Sequence, residues 1–220
     1  MKVFGTMCMM PDRYPKSLSC VMSLKGQVET LYLCLNGFDS IPDDLIQDWI
    51  EVVHIGKNIG AVGRYTKLPE IEGHLISVDD DLVYPSTYVS DFVSRYEDEG
   101  PVVLTHHGKV ISGERSVSVS HCLRDSKYSG RIDIPGAGVM FVPYEFRSWN
   151  KNVSNEPKNP TDVWAAAIFK NMGVRILSVP HSKDYFSYVE PPKGTTIWET
   201  ETHKQDLVSL LNQITNKIQS

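Results

Sequence analysis

No stretch of this chain reaches the roughly 18 consecutive apolar residues of a membrane-crossing helix, so a helical membrane span is excluded. Its four cysteines, Cys8, Cys20, Cys34 and Cys122, show no CxxC or zinc-ligand spacing and read as reduced thiols of a cytoplasmic protein. The Asn152-Val153-Ser154 sequon then carries no glycan. Basic residues are outnumbered, 22 Lys and Arg against 27 Asp and Glu, for a formal net charge of -5. A general nucleic-acid or anionic-membrane binder needs the opposite surface, so phosphate binding, if present, is local. The apolar run at the start is too short for a signal peptide, and Pro11-Asp12-Arg13 interrupts it. Repeats, low-complexity linkers and a glycine-rich, Lys- or Arg-terminated phosphate loop are lacking as well.

What is present suits one domain over residues 1–220: 41% hydrophobic residues in a chain of that length can bury a large core. The apolar pattern predicts strands over 3–10, 29–35 and 50–55, then one running into Asp79-Asp80-Asp81, and another over 101–105. Helical patterns lie between them, over 14–25, 43–49, 60–69 and from Pro85 to Tyr96. This alternation predicts an α/β fold with a mostly parallel sheet, whose ligand crevice lies beyond the carboxyl ends of its strands. The second half is less regular. Residues 106–130 are polar and read as a hairpin or a loop that closes over substrate; 134–142 is a small-residue turn and strand; 157–160 is a loop; 162–172 is a buried helix; 174–179 is a strand; and 204–218 is an amphipathic helix. The division falls near residue 105, with a nucleotide-binding half before it and an acceptor half and terminal helix after it.

The run Leu75-Ile76-Ser77-Val78-Asp79-Asp80-Asp81 carries the chemistry. Asp79 and Asp81, two residues apart at a strand end, are expected on one side of the sheet, where two hard oxygen donors form half of a site for Mn2+ or Mg2+. The remaining positions of such an ion go to water and diphosphate oxygens.

Residues 57–64, Lys57-Asn58-Ile59-Gly60-Ala61-Val62-Gly63-Arg64, followed by the strand and its aspartates, resemble the middle of the GT-A glycosyltransferases. Gly136-Ala137-Gly138-Val139-Met140-Phe141 is similar to that family's strand on the acceptor side, and Thr161-Asp162-Val163-Trp164 to the helix start that faces the reacting sugar. The resemblance spans about residues 1–185. It implies a single GT-A, Rossmann-like α/β domain with a mixed, mostly parallel central sheet flanked by helices. The implied activity is metal-dependent transfer of a hexose or deoxyhexose from a nucleotide sugar, a UDP-sugar, to a carbohydrate acceptor. It assigns the metal to Asp79 and Asp81 with His181 as third ligand, for which His106, His107 and His203 compete. Asp80 is turned toward the donor; Thr6, Arg13, Asn36, Asp39, Lys57 and Arg64 line the nucleotide site; Asp162 is a general base or steadies the developing positive charge. Asn36 and Asp39 serve equally as turn formers, and Asp162 as a helix-start residue. Thr161 departs from inverting relatives that carry a second acid there, which favours retention of configuration. An aromatic platform for a sugar ring is expected among Trp149, Trp164, Tyr185 and Trp198, although Trp164, inside an apolar helix, reads rather as core. Two alternatives remain, a sugar-1-phosphate nucleotidyltransferase and a noncatalytic carbohydrate-binding protein on the same fold.

Overall fold

The computed structural model describes residues 1–153, 161–194 and 206–219. Its strands are β1 (Val3–Met9), β2 (Leu31–Asn36), β3 (Ile50–Ile55), β4 (His74–Val78), β5 (Leu82–Val83), β6 (Val103–Thr105), β7 (Gly108–Ser112), β8 (Arg115–Ser120), β9 (Ile134–Pro135), β10 (Val139–Val142), β11 (Ile176–Ser178) and β12 (Ser187–Tyr188). The helices are α1 (Leu18–Met22), α2 (Tyr88–Glu99), α3 (Thr161–Asn171) and α4 (Leu207–Gln219). The central sheet runs β11-β6-β10-β4-β1-β2-β3. All its strands are parallel except β10, which enters antiparallel between β4 and β6. The predicted α/β class with a mixed, mostly parallel sheet is the one observed.

Each face of this sheet buries its own core, and the side-chain alternation of β10 shows how. Val139 and Phe141 pack with Ile76, Val78, Tyr88 and Phe92 on the α1–α2 side. Met140 and Val142 pack with Leu75, Trp149, Trp164 and Phe169 on the α3–α4 side. Continuous apolar runs such as Leu31–Asn36, buried throughout, are what a strand covered on both faces requires.

Three helical expectations contract. The pattern over 14–25 yields only the five-residue α1, and those over 43–49 and 60–69 yield 3-10 turns at Asp43–Leu45 and Ala61–Tyr65. These segments are too short to repay helix nucleation, and Gly60, at φ 81°, starts the last with a left-handed backbone. Residues 106–130 contain a true hairpin, β7 to β8, whose first strand also pairs with β9. The expected terminal helix is α4; Leu210, Leu211 and Ile214 bury against the α3 face. Residues 157–160, Ser154 of the sequon, Trp198 and His203 lie outside the described residues.

Candidate active site

Strand β4 stops at Val78, so Asp79, Asp80 and Asp81 stand beyond the ladder on a turn. The period-two argument for Asp79 and Asp81 therefore does not set their directions; their ion pairs do. Asp79 Oδ1 accepts from Arg64 Nη2 at 2.7 Å. Asp80 Oδ1 pairs with Arg13 Nη1, and Asp81 Oδ2 lies 3.4 Å from the same nitrogen. Gly138 makes room for this turn: a Cβ there would sit 1.7 Å from Asp79 Oδ2. The Tyr84 hydroxyl accepts from Asp79 N–H at 2.7 Å and donates to the Gly138 carbonyl at 2.8 Å, tying the turn to the start of β10. Sequence reasoning missed Tyr84; its nearness to the aspartates in the chain was the one available signal.

A cavity of about 470 Å³ opens at the carboxyl edge of the sheet. Of the residues singled out from the sequence, Arg13, Asn36, Arg64, Asp79, Asp80 and Asp81 line it. Asn36, almost fully buried, donates to Asn58 Oδ1 and to the Gly60 carbonyl, each at 3.1 Å, and accepts from Ile59 N–H at 2.9 Å. Its carboxamide is thus engaged in shaping the 58–60 loop, where Asn58 and Gly60 face the cavity. Arg64 is buried and spends Nη1 on the Ala137 carbonyl at 3.1 Å, with Val78 O and Ser77 Oγ at 3.4 Å.

Of the other candidates, Thr6, Asp39, Lys57, Asp162, His106 and His181 lie off the cavity wall. Thr6 is fully buried and its hydroxyl donates to the Arg64 carbonyl, joining β1 to the 3-10 turn. Asp39 and Lys57 are exposed. Asp162, at the start of α3, accepts from Ala137 N–H at 2.9 Å. His181 sits with Nδ1 2.9 Å from the Ser182 carbonyl and Nε2 3.3 Å from the His106 carbonyl. His106 is enclosed by Tyr88, Phe92, Tyr185 and Phe186. The imidazoles on the cavity wall are His107 and His121, with ring centroids 4.6 Å apart at the base of the β7–β8 hairpin. His107 was weighed from the sequence; His121 was not. Trp164 is buried in the α3–α4 core as its apolar helix suggested, and the expected aromatic platform loses Trp149, buried in the same core. The cavity instead carries Tyr188.

Burial dominates the electrostatics. It pushes the Asp81 carboxyl up to about 7, with Asp79 and Asp80 adding to the effect. Burial also raises Asp80, against the opposing pull of Arg13. His107 is drawn down to about 4, first by burial and then by His121, and so stays neutral near pH 7. Among the described residues no three His, Cys, Asp or Glu side chains converge in metal-holding geometry. The donor set nevertheless fits a hard divalent cation that completes its shell with water and diphosphate. Asp79 and Asp81 present carboxylates to the cavity, and Asp80 Oδ2 is buried without a hydrogen-bond partner.

No protein-family profile matches this chain, and no curated protein matches its sequence. Solved structures do. TarS of S. aureus, residues 1-349, superposes with a TM-score of 0.59 at 12% identity, over 84% of this chain and 60% of that one. GalNAc-T7, crystallised with UDP, GalNAc and Mn2+, superposes with a TM-score of 0.62 at 11% identity, over 98% of this chain and 48% of that one. The chain therefore spans less than two thirds of either. At this level of identity the likeness establishes the architecture: the chain has the α/β fold of the GT-A glycosyltransferases.

Proposed function

We propose that this protein is a metal-dependent glycosyltransferase that moves a hexose or deoxyhexose from a UDP-sugar to a carbohydrate acceptor. One observation carries the reading: three consecutive aspartates and Arg13 face a cavity at the carboxyl edge of a parallel sheet, on the fold of the GT-A enzymes. Asp79 and Asp81 would hold Mn2+ or Mg2+, which when bound neutralises the charge developing on the departing diphosphate. Arg13 serves the diphosphate, and Asp80 orients Arg13. The 58–60 loop, held by Asn36, forms the base side of the pocket. Arg64 is a positioning residue that fixes Asp79. Asp162 acts through Ala137, whose N–H it holds and whose carbonyl accepts from Arg64. His107 and His121, neighbours of the aspartates on the cavity wall, replace His181 as the imidazoles facing the donor.

Thermal-shift measurements with UDP, UTP and UDP-sugars, with and without Mn2+, test the reading. A nucleotide at one hundred times its dissociation constant stabilises by about 2.7 kcal/mol, a rise of several degrees for a chain of this size. The expected result is stabilisation by UDP and UDP-sugars that requires Mn2+. Stabilisation by UTP alone would indicate nucleotidyl transfer, and indifference to every nucleotide would leave only a carbohydrate-binding role.

A further inference from the structure

The two cations that face the aspartate turn are held in different ways. Arg64 is 7% exposed and fastened through Nη1 to the backbone at Ala137 and Val78 and through Nη2 to Asp79. It cannot leave without stranding buried carbonyls. Arg13 sits on a three-residue 3-10 turn, Pro11–Arg13, directly after β1, and shares Nη1 between Asp80 and Asp81. Its contact with Asp80 is the nearer of the two, and that with Asp81 is at 3.4 Å. Asp80 is 4% exposed, whereas the Asp81 side chain is 20% exposed and reaches the cavity.

We infer that Arg13 is a latch: it stays anchored on Asp80, covers Asp81 while the donor is absent, and gives Asp81 up to the metal only when a diphosphate supplies new acceptors for the guanidinium. The physical basis is charge. A divalent cation approaching Asp81 Oδ2 meets a guanidinium nitrogen 3.4 Å from that oxygen, and like charges at that separation repel. The diphosphate removes this obstacle because its oxygens match the planar fork of Arg13. Metal and nucleotide then bind as a coupled pair, each raising the affinity of the other by the same factor. The inference rests on the nucleotide-sugar reading given above.

Mn2+ binding by the full chain, followed by the EPR signal of free Mn2+, tests this without any turnover. In the wild type, Mn2+ should bind at least about tenfold more weakly without UDP than with it. Arg13→Gln should bind Mn2+ alone at least about tenfold more tightly than the wild type, while its UDP affinity at saturating Mn2+ falls by a similar factor. A residue with a purely structural part would lower both affinities. Mn2+ affinity in the folded variant that is equal to or weaker than the wild type's overturns the latch. If the Gln variant does not fold, Arg13→Met, which keeps the apolar stem, is read in the same way. Failure of the two ideas looks different. A gain in Mn2+ affinity with no UDP binding by either protein supports the latch and refutes the nucleotide-sugar reading. Coupled UDP and Mn2+ binding by the wild type with no gain in the variant refutes the latch alone.

Discussion

Asp79 and Asp81 differ in what their replacement removes. Asp79→Asn leaves the buried Arg64 guanidinium without its carboxylate, and although three oxygens still accept from Arg64, a loss of about 1–3 kcal/mol in unfolding free energy is expected. Asp81→Asn takes one charge from a crowded, partly buried carboxylate cluster and should leave stability equal or higher at neutral pH while abolishing the Mn2+-dependent shift with UDP. Urea denaturation beside thermal shift separates the two effects; equal loss of stability in both variants would contradict the pairing. His106 gives a second contrast. Burial holds its imidazole neutral down to about pH 3, against an unfolded value of about 6.5. Its contribution is therefore complete above pH 6.5 and is lost as the pH falls toward 3, by up to about 1.4 kcal/mol per unit. Asp81, raised to about 7, works in the opposite sense over part of that range, so the comparison must be made against a variant. The stability advantage of wild type over His106→Gln should shrink between pH 7 and pH 5; a constant difference would show that His106 does not titrate as described. At this scale the aspartates were legible because they interrupt an apolar run. Gly138 and His121 were not, because what brings them to the aspartates' cavity is the return of β10 and the hairpin, which local pattern does not encode; Tyr84 had only its nearness in the chain.

Among the elements, the strands were the easiest to read and the short helices the hardest. Strands β1, β2 and β4 appear as apolar runs near their predicted bounds, since burial on both faces leaves little freedom of composition, whereas the edge strand β3 is only partly buried. The segment at Ala61–Tyr65 has helical spacing but is held by packing of another kind: a Cβ on Gly63 would approach Cys34 Sγ to 2.9 Å and Cys8 Sγ to 3.0 Å. No period in the sequence announces that contact. The β7–β8 hairpin carries His107 and His121 at its base, both on the cavity wall, so a bound donor should slow amide exchange over 108–120. Equal exchange with and without UDP and Mn2+ would detach the hairpin from the site. Helix α4 has no such link. Leu211→Ala, at a position 2% exposed against the α3 face, is expected to cost about 2–5 kcal/mol of stability and to leave UDP affinity unaltered.

For the molecule as a whole, the division near residue 105 that the sequence offered does not coincide with a division of the sheet. Strands β10 and β11 come from the second half, and both enter the sheet that the first half begins. Among the described residues no helix is long and apolar enough to cross a membrane. The place of β10 matters for how the protein is made. Until the ribosome has released residues 139–142, one edge of β4 has no pairing partner, and the space that Gly138 leaves for Asp79 has no far wall. A nascent chain that stops at residue 105 leaves β4, which leads into the aspartates, with an open, apolar edge, the kind of surface that recruits other strands. Synthesis thus proceeds through an interval in which the strand that leads into the aspartates is open to misassembly, and a single antiparallel insertion ends that hazard.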